Sequence, residues 1–483
     1  MPDTSRAMHA PSAAPTGQTP PTKVSITLGL LLGAIILLKL LNGFGVLPPV
    51  TSGLADAASV LVLALLAPQV RGWRHLFLAI STVIVVYCLI ARDDPAHILK
   101  PAFDQASFII AFFCALASLQ HVAARSKAIS RAAAFLANQP SGRRYLALSC
   151  GAQVFALMLN YGALSLLGTM ARRSAERESE PAVRALRIRR MLQGAQCGFA
   201  ASLTWSPLAF ATVITSTLIP GVTVGQVIAH GLGSAAILVL IGWLVDRPLK
   251  NSLPRGTVVA PPDPVAAHDV RSLWPLLWLL LGVAIPAALL DFGAHVAPSR
   301  AVLGLVPLVA ALWIAIETDV GRKARELSAR SRHFFFGDLP SFKNELVLLS
   351  TAGFIGNAAG ALLAGWIAAA GFDLSAVPAR LLLVLPIILV PLAGQVGLNP
   401  ILFVSLFAQL LPDPVSIGVS PISMVLALTS GWALAAPTSP FTASVMIISR
   451  IGEVTPRDVA FKWNGLFVPC AAAALALWVQ LLA

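Results

Sequence analysis

The feature that most constrains this chain is an almost unbroken series of apolar stretches, from about residue 24 to residue 483. An α-helix needs about 20 consecutive apolar residues to cross the hydrocarbon core of a bilayer, and many of these stretches are that long. Only 11% of the residues are charged, whereas soluble domains are usually about 25% charged. The sequence therefore excludes a water-soluble globular protein and predicts an all-α polytopic membrane protein.

The distribution of charge gives a second constraint. The 34 lysine and arginine residues outnumber the 21 acidic residues, for a formal net charge of +13. In a soluble protein this excess would suggest nucleic acid. Here the basic residues lie in short loops between apolar stretches, where they orient the spans. We therefore expect the lipid bilayer, and no nucleic acid, as a partner.

Sequence motifs of soluble enzymes are absent. The five cysteines have no metal-binding or redox spacing. The sequence contains no Walker loop and no HExxH, GxSxG or CxxC pattern. We therefore predict that the protein is not an enzyme and that it has no cofactor, apart from Na⁺ as a coupling ion.

Two apolar segments consist of halves that are each too short for a span. Residues 145–170 divide at Asn160 and have strongly basic loops at both ends. A single span would place these loops on opposite sides of the membrane, against the positive-inside rule. We therefore predict a re-entrant hairpin that enters from the cytoplasm with Asn160 at its tip. Residues 379–411 divide at Asn399 and carry almost no positive charge, which predicts a hairpin entering from the outer face.

The predicted topology has eleven transmembrane helices around these two hairpins, with the N-terminus in the cytoplasm and the C-terminus outside. It leaves most lysines and arginines in cytoplasmic loops, as expected for a multi-pass protein of the inner (cell) membrane. A homodimer is an open alternative to a monomer. The predicted spans are about 25–46, 54–70, 75–91, 102–122, 188–218, 224–246, 273–292, 299–317, 346–371, 419–449 and 459–482.

This topology divides the chain into five parts. Residues 1–23 are rich in Pro, Ser, Thr and Ala and are predicted to be a disordered cytoplasmic tail, and residues 24–101 form N-terminal scaffold helices. The first inverted repeat covers residues 102–247 and the second covers residues 272–483. A Pro-rich cytoplasmic linker, residues 248–271, joins the two repeats.

The two repeats contain matching features in the same order, a hairpin with Leu-Asn at its tip and then a span interrupted by Ser-Pro. Residues 198–207 (GFAASLTWSP) align without gaps with residues 431–440 (GWALAAPTSP). Proline inside a helix removes one hydrogen bond, and non-helical backbone at membrane depth survives only against protein or a water-filled cavity. The paired breaks and tips therefore predict one polar binding site near the midplane. The structural alternative is that Ser-Pro only kinks the spans.

These motifs resemble those of the ion transporter superfamily, which includes divalent-anion/sodium symporters, citrate carriers and arsenite permeases. The resemblance rests on the tips Leu159–Gly162 and Leu398–Pro400, on the breaks Ser202–Pro207 and Pro437–Pro440, and on Gly452–Asp458 before the last span. It implies inverted repeats, two opposed hairpins and an elevator-type transport mechanism.

The leading functional hypothesis is a secondary active transporter (symporter) of a small anion, a carboxylate such as a dicarboxylate, coupled to Na⁺. Helix N-termini suit an anion and freed carbonyls suit Na⁺. Na⁺ is expected at Asn160 and Asn399. The candidate ligands for substrate or ion are Asn160, Gly162, Ser202, Thr204, Ser206, Pro207, Asn399, Pro437, Thr438, Ser439, Pro440 and Thr442.

Two alternatives stay open. One is a proton-coupled or arsenite-type anion carrier on the same scaffold; against proton coupling, Asp56 and Asp104 lie near span ends rather than mid-membrane. The other is a membrane-embedded enzyme that acts on a lipid-linked substrate. The longest loops lack the clusters of acids or histidines that such an enzyme usually carries.

Three charged features receive structural interpretations. Lys39, inside the first predicted span, is expected to snorkel along its apolar stem. The arginine-rich run 172–190 is predicted to be a solvated cytoplasmic loop. Residues 321–342, basic and then rich in phenylalanine, are predicted to contain an amphipathic helix at the membrane surface.

Overall fold

A computed structural model of the chain describes residues 22–48, 51–140, 142–250, 270–294, 298–318, 320–371 and 374–483. The regular structure of these residues is helical throughout, without a β-strand, so the predicted all-α fold class is confirmed. The predicted tail, residues 1–23, lies outside the described residues except at its end. Of the predicted linker, residues 248–271, only the two ends are described.

Four long helices open the described chain: α1 (Lys23–Gly43), α2 (Ser52–Leu66), α3 (Trp73–Ala91) and α4 (Pro95–Ala123). Lys39 of α1 does not snorkel as predicted. Its Nζ lies 3.2 Å from Asp56 Oδ1 of α2 and 2.6 Å from Asp104 Oδ1 of α4, and its side chain is buried. Ser107 Oγ also donates to Asp56, at 2.5 Å. The snorkelling prediction is wrong because the two carboxylates hold the ammonium between the three helices.

A helical hairpin follows a short helix that the sequence analysis did not predict. The elements are α5 (Lys127–Ala137), α6 (Arg144–Leu159) and α7 (Tyr161–Ala175). Asn160 separates α6 from α7, with φ 47° and ψ −126°. Both ends of the hairpin return to the end of α5, because Arg144 Nε donates to Gln139 O at 2.8 Å and Ser174 Oγ donates to Ala137 O at 3.3 Å.

The first broken helix is formed by α8 (Pro181–Trp205) and α9 (Phe210–Leu218), and α10 (Val224–Lys250) follows it. Ser206 and Pro207 interrupt the first two, as predicted from the proline. Gly198 allows α8 to pack directly on α6. A Cβ at this glycine would lie only 2.1 Å from Ser149 O.

The arginine-rich run 172–190 is not a solvated loop. It belongs mostly to α7 and α8. The Arg187 guanidinium is buried and pairs with Glu178, while Arg172 lies 2.6 Å from Glu453. The loop prediction is wrong for most of the run, because it is helical and buries the Arg187–Glu178 pair, whereas Arg173 and Glu176 are exposed as predicted.

The next helices are α11 (Trp274–Ala294), α12 (Pro298–Glu317), α13 (Lys323–His333) and α14 (Lys343–Ala369). The segment 321–342, predicted to be amphipathic, consists largely of α13, which has no buried residue, and a π-helical turn over Phe334–Asp338. The turn packs on α1 so closely that a Cβ at Gly29 would lie 2.3 Å from Phe335 O. Its polar half is therefore on the surface and its aromatic half is anchored.

The second repeat ends with α15 (Ala379–Gln395), α16 (Pro400–Ala408), α17 (Pro421–Thr438), α18 (Ala443–Gly452) and α19 (Phe467–Leu481). The segment that precedes Asn399 separates α15 from α16, and Ser439 and Pro440 separate α17 from α18. Gly431 of α17 repeats the contact of Gly198, since a Cβ there would lie 2.2 Å from Pro386 O of α15. The aligned glycines Gly198 and Gly431 thus allow each broken helix to pack closely on the first helix of its hairpin.

Eight helices of the described residues are long and apolar enough to cross a membrane, the two broken helices counting as one each. Shorter apolar helices cover residues 270–283, 301–317 and 467–481, so the count of eleven spans stays a prediction. The outer helix α3 exposes Trp73, Val83 and Ile90, whereas every residue of the most apolar window in 421–452 is buried. Such a continuous apolar exterior suits lipid rather than water.

Candidate functional site

The second hairpin tip lies against the second helix break. Ser439 Oγ donates to Gly394 O at 2.6 Å, and Gln395 Nε2 donates to Thr438 O at 3.0 Å. Gly397, with φ +82°, brings the tip close to the ring of Phe441. The structure therefore brings the predicted residues Thr438 and Ser439 together with this hairpin tip.

Side chains also satisfy the carbonyl groups that the second break removes from the helical hydrogen-bond pattern. The last four carbonyls of any helix lack helical partners. Here the hydroxyls of Thr442 and Ser444 donate to Ala436 O at 2.9 and 2.6 Å. Asn464 Nδ2 donates to Pro437 O at 3.2 Å. The second break is therefore closed by protein groups.

The first break begins with the same turn. Ser206 N donates to Ser202 O at 3.0 Å, as Ser439 N donates to Ala435 O at 3.1 Å. The serine hydroxyl then accepts from the backbone N–H two residues later, at 3.2 Å in both breaks. Because Ser-Pro produces the same geometry twice, the repeat extends to individual hydrogen bonds.

Beyond this turn the first break differs. Within the described part of the chain, the carbonyls of Leu203, Thr204 and Trp205 accept no hydrogen bond from the residues after the proline. Gly231 of α10 covers Thr204 O so closely that a Cβ would lie 2.2 Å from the oxygen. Gly231 follows Pro207 by 24 residues, the same separation as between Pro440 and Asn464. The position that supplies an amide donor in the second repeat is thus a glycine in the first.

The predicted hydroxyl ligands of the first break are buried and bonded to backbone. Ser202 Oγ donates to Phe199 O at 2.7 Å, and Thr204 Oγ1 shares its one proton between Ala201 O at 2.8 Å and Gly231 O at 3.0 Å. Each hydroxyl has donated its proton but keeps lone pairs that can accept or coordinate. These two side chains therefore offer oxygen acceptors and no free donor.

The two tip asparagines occupy different environments. Asn399 Oδ1 accepts from Ile401 N at 2.8 Å and caps α16, with Pro400 at its first position. The side chain of Asn160 makes no hydrogen bond with a described residue. No hydrogen bond joins Gly162 or Asn160 to either helix break within the described residues. The structure therefore gives Asn399 a capping role and leaves its predicted role with Na⁺ untested.

The first hairpin meets the first broken helix both along its side and beside its tip. The rings of Tyr161 and Phe199 are 5.1 Å apart, and Trp205 Nε1 donates to Gln153 Oε1 at 2.7 Å. Gln120 Nε2 of α4 donates to Leu159 O at 3.0 Å, just before the tip. The tip is thus held by α4 and α8.

The sequence analysis did not identify the buried amides that join the repeats. Asn464 Nδ2 lies 3.0 Å from Gln196 Oε1, 3.2 Å from Pro437 O and 2.9 Å from Val459 O. An amide nitrogen has two hydrogens, so the three oxygens exceed its donors. Gln196 is fully buried and its Nε2 has no partner. The only indication of this contact in the sequence is an amide side chain within an apolar stretch.

Metal chemistry has no preformed site in the described residues, where no group of three or more His, Cys, Asp or Glu side chains could hold an ion. Any cation at the breaks would depend on carbonyl, hydroxyl and amide oxygens. These are the ligands that interrupted membrane helices offer to Na⁺.

Comparisons with known proteins identify the fold. No protein-family model and no curated protein matches the sequence. The YdaH transporter of Alcanivorax borkumensis is similar with a TM-score of 0.55 and 16% identity, over 85% of this chain and 99% of that one. MtrF of Neisseria gonorrhoeae, described with a class of antimetabolite efflux pumps, has a TM-score of 0.58 and 14% identity, over 87% and 97%. At these identities the similarity shows the fold alone, which this chain shares with those two membrane transport proteins.

Proposed function

We propose that this protein is a secondary active transporter of a small carboxylate, coupled to Na⁺, that works by an elevator mechanism as in the ion transporter superfamily. The observation that carries the proposal is the pair of helix breaks with identical Ser-Pro turns inside an apolar helical bundle. Broken helices at membrane depth are tolerated where they line a binding site.

The helix N-termini after the breaks support an anionic substrate. Neither α9 nor α18 has a side chain that caps its first N–H groups. Thr442, the residue at the N-cap of α18, donates its proton to carbonyls instead. Uncapped N-termini carry partial positive charge and bind carboxylate or phosphate groups.

The open carbonyls of the first break support a cation at that position. Leu203 and Trp205 offer two backbone oxygens without a hydrogen-bond donor from the residues after Pro207 in the described chain, whereas Gly231 covers Thr204 O. The equivalent oxygens of the second break already have amide and hydroxyl donors. We therefore assign Na⁺ to the first break in this proposal.

The number of coupled ions then depends on the charge of the substrate. A dianion entering against about −100 mV costs about 4.6 kcal/mol, and one Na⁺ with a tenfold gradient contributes about 3.7 kcal/mol. One ion can drive a monocarboxylate but not a dicarboxylate. A Hill coefficient of one for Na⁺ would indicate a monocarboxylate and the first break alone, whereas a higher value would indicate a second ion site.

A proton-coupled carrier is the second candidate, and one cluster favours it. The Lys39 ammonium lies between the carboxylates of Asp56 and Asp104, so this cluster holds one carboxylate more than it has cations. Ionisable groups inside membrane helices commonly mark proton pathways. The efflux described for MtrF would be the corresponding export direction.

Transport by purified protein in proteoliposomes distinguishes these candidates. Labelled carboxylates are offered with an imposed Na⁺ gradient or an imposed pH gradient, at a fixed membrane potential. We expect accumulation with Na⁺ and none with a pH gradient in Na⁺-free buffer. Proton-driven transport that is lost in Asp56→Asn would contradict the sodium proposal and support the second candidate.

A further inference from the structure

Three arginines meet at the base of the first hairpin, at the opposite end from Asn160. Arg144 opens α6, whose first turn packs on α8 so closely that a Cβ at Gly194 would lie 3.2 Å from Tyr145 O. Arg187 and Arg190 lie one to two turns before Gly194 on α8. Arg144 is 7% exposed and Arg187 is 6% exposed. The cluster is therefore buried among α5, α6, α7, α8 and α10 rather than spread over the surface.

Two of these arginines have carboxylate partners and the third has none. Arg187 pairs with Glu178, and Arg190 donates to both oxygens of Asp246, at 2.8 and 2.6 Å. Arg144 has no carboxylate within 4.0 Å among the described residues. The cluster thus combines three guanidinium groups with two carboxylates, a formal excess of one positive charge.

The hydrogen bonds of Arg144 leave most of its donors free. Its Nε donates to Gln139 O at 2.8 Å, which uses one of the five N–H groups of a guanidinium. Arg187 Nε is also buried without a partner. Arg143, the residue before α6, provides no side-chain acceptor for the first turn of the helix, so the helix N-terminus adds positive charge at the same place.

The terminal nitrogens of Arg144 have no protein partner among the described residues and are not fully enclosed, so an anion can reach them. We propose that Arg144, with Arg187 beside it, binds a phosphate-type oxyanion, supplied by the headgroup of an anionic lipid or by free phosphate. The planar fork of arginine matches two phosphate oxygens at once. Basic pockets between membrane helices at the predicted cytoplasmic face bind anionic headgroups in this way.

The test measures thermal unfolding of the purified full-length protein in neutral detergent. Phosphatidylglycerol is compared with phosphatidylcholine, and inorganic phosphate with chloride at equal ionic strength. We expect phosphatidylglycerol, phosphate or both to raise the unfolding temperature. A response to the lipid alone identifies a headgroup site, and a response to both identifies a site open to soluble oxyanions.

Three variants locate the response. Arg144→Gln should weaken the apparent affinity for the effective anion about tenfold, because charge-assisted hydrogen bonds are lost. Arg143→Gln is the matched control, since Arg143 is adjacent but exposed, and it should keep the wild-type response. Arg144→Lys keeps the charge and removes the fork. It provides the measurement if Arg144→Gln does not fold, and should also bind more weakly.

Three results would overturn the proposal. One is a wild-type protein that responds to neither anion more than to its neutral or chloride counterpart. Another is an equal loss of response in Arg143→Gln and Arg144→Gln, which would show only general surface charge. The third is an unchanged affinity in both Arg144 variants.

Discussion

At both helix breaks the serine before the proline closes the same turn, with backbone hydrogen bonds of 3.0 and 3.1 Å and a hydroxyl that accepts at 3.2 Å. The surroundings of these turns differ. The second break receives donors from Gln395, Thr442, Ser444 and Asn464. The first has Gly231 against Thr204 O and no donor to this oxygen within the described chain.

This difference shows how a repeated backbone can serve two purposes. Local chemistry, Ser-Pro and a glycine eight residues before the serine, repeats the bend and its packing. One side chain, Asn464 in place of Gly231, decides whether the opened carbonyl receives an amide donor, as at Pro437 O, or is covered by the glycine backbone, as at Thr204 O. The second break is then mainly structural, and the first is the better candidate for binding.

The largest expected effect is at Gly231. In Gly231→Ala the new Cβ would lie 2.2 Å from Thr204 O and 2.8 Å from Trp205 Cα. Backbone atoms must move, so we expect a loss of about 3 kcal/mol in the free energy of unfolding, together with loss of transport. Denaturant or thermal unfolding in detergent measures the loss.

The matched control for this substitution is Gly282→Ala in α11, where a Cβ would have nothing within 4 Å. Alanine is favoured over glycine inside a helix by up to about 1 kcal/mol, so this variant should be neutral or more stable. Equal stability of the two variants would mean that the close approach of α10 to the first break is not required.

The next effect is at the residue that closes the second break. Asn464→Ala leaves Pro437 O, Val459 O and Gln196 Oε1 without this donor. A buried acceptor without a partner costs about 1–3 kcal/mol, and we expect a loss of about 2 kcal/mol in the free energy of unfolding. If the variant unfolds like the wild type, the second break is not stabilised by this amide and the contrast between the breaks fails.

Local features of both breaks and both hairpins could be predicted from the sequence, because proline, glycine and asparagine act on their own neighbours. Asn160 separates α6 from α7, and Pro207 and Pro440 lie at the breaks. The closing donors could not be predicted in this way. Asn464 acts on a carbonyl 27 residues away and on Gln196, 268 residues away, and these contacts depend on the packing of whole repeats.

The charged groups show the same limit of local reasoning. Lys39 and Arg187 were assigned to the membrane surface or to solvent, yet each is buried beside carboxylates. Their partners come from other helices or across a turn, so the sequence order alone does not reveal them. The amphipathic segment before Lys343 was recognisable because its charge and its aromatic residues lie in one short stretch.

Substitutions at the two hairpin tips should change the free energy of unfolding by smaller amounts. Asn399→Ala removes the cap of α16, and loss of such a cap costs about 1 kcal/mol. Asn160 has positive φ and no side-chain hydrogen bond in the described chain. Asn160→Gly therefore removes the amide without straining the backbone, and we expect stability within a few tenths of a kcal/mol of the wild type.

Uptake in proteoliposomes then distinguishes an asparagine that binds substrate or ion from one that only caps a helix. If Asn160 binds substrate or ion, Asn160→Gly should lose transport at unchanged stability. Normal uptake in this variant would remove Asn160 from the proposed site. Asn399→Asp keeps an oxygen acceptor for the cap and is the control for the second tip, because it should recover most of the stability lost in Asn399→Ala.

The smallest effect concerns the start of the helical segment after each broken helix, α10 in the first repeat and the π-helical segment Asp458–Trp463 in the second. Here the repeats again share a motif and differ in one side chain. Thr223 and Gln226 exchange hydrogen bonds at 2.9 and 3.3 Å, and Thr455 and Asp458 exchange them at 3.3 and 3.2 Å. Both pairs are capping boxes. The acceptor side chain of the first box, Gln226, is a neutral amide. That of the second box, Asp458, is a carboxylate that also binds Lys462 at 2.6 Å.

Only the second box should respond to pH. Hydrogen bonds from Lys462 and Thr455 lower the pKa of Asp458 to about 2, compared with about 3.9 in an unfolded chain. A lowered carboxyl pKa contributes stability that is complete above about pH 4 and is lost as the pH falls towards 2. Hydrogen-exchange protection factors for residues 455–464, corrected for intrinsic rates, should fall over this range, while those for residues 223–232 stay constant. Asp458→Asn should lower protection at neutral pH and remove its decline in acid. Gln226→Glu should introduce an acid-dependent decline in the first repeat, and a decline at residues 223–232 in the wild type would show that both boxes respond to another group.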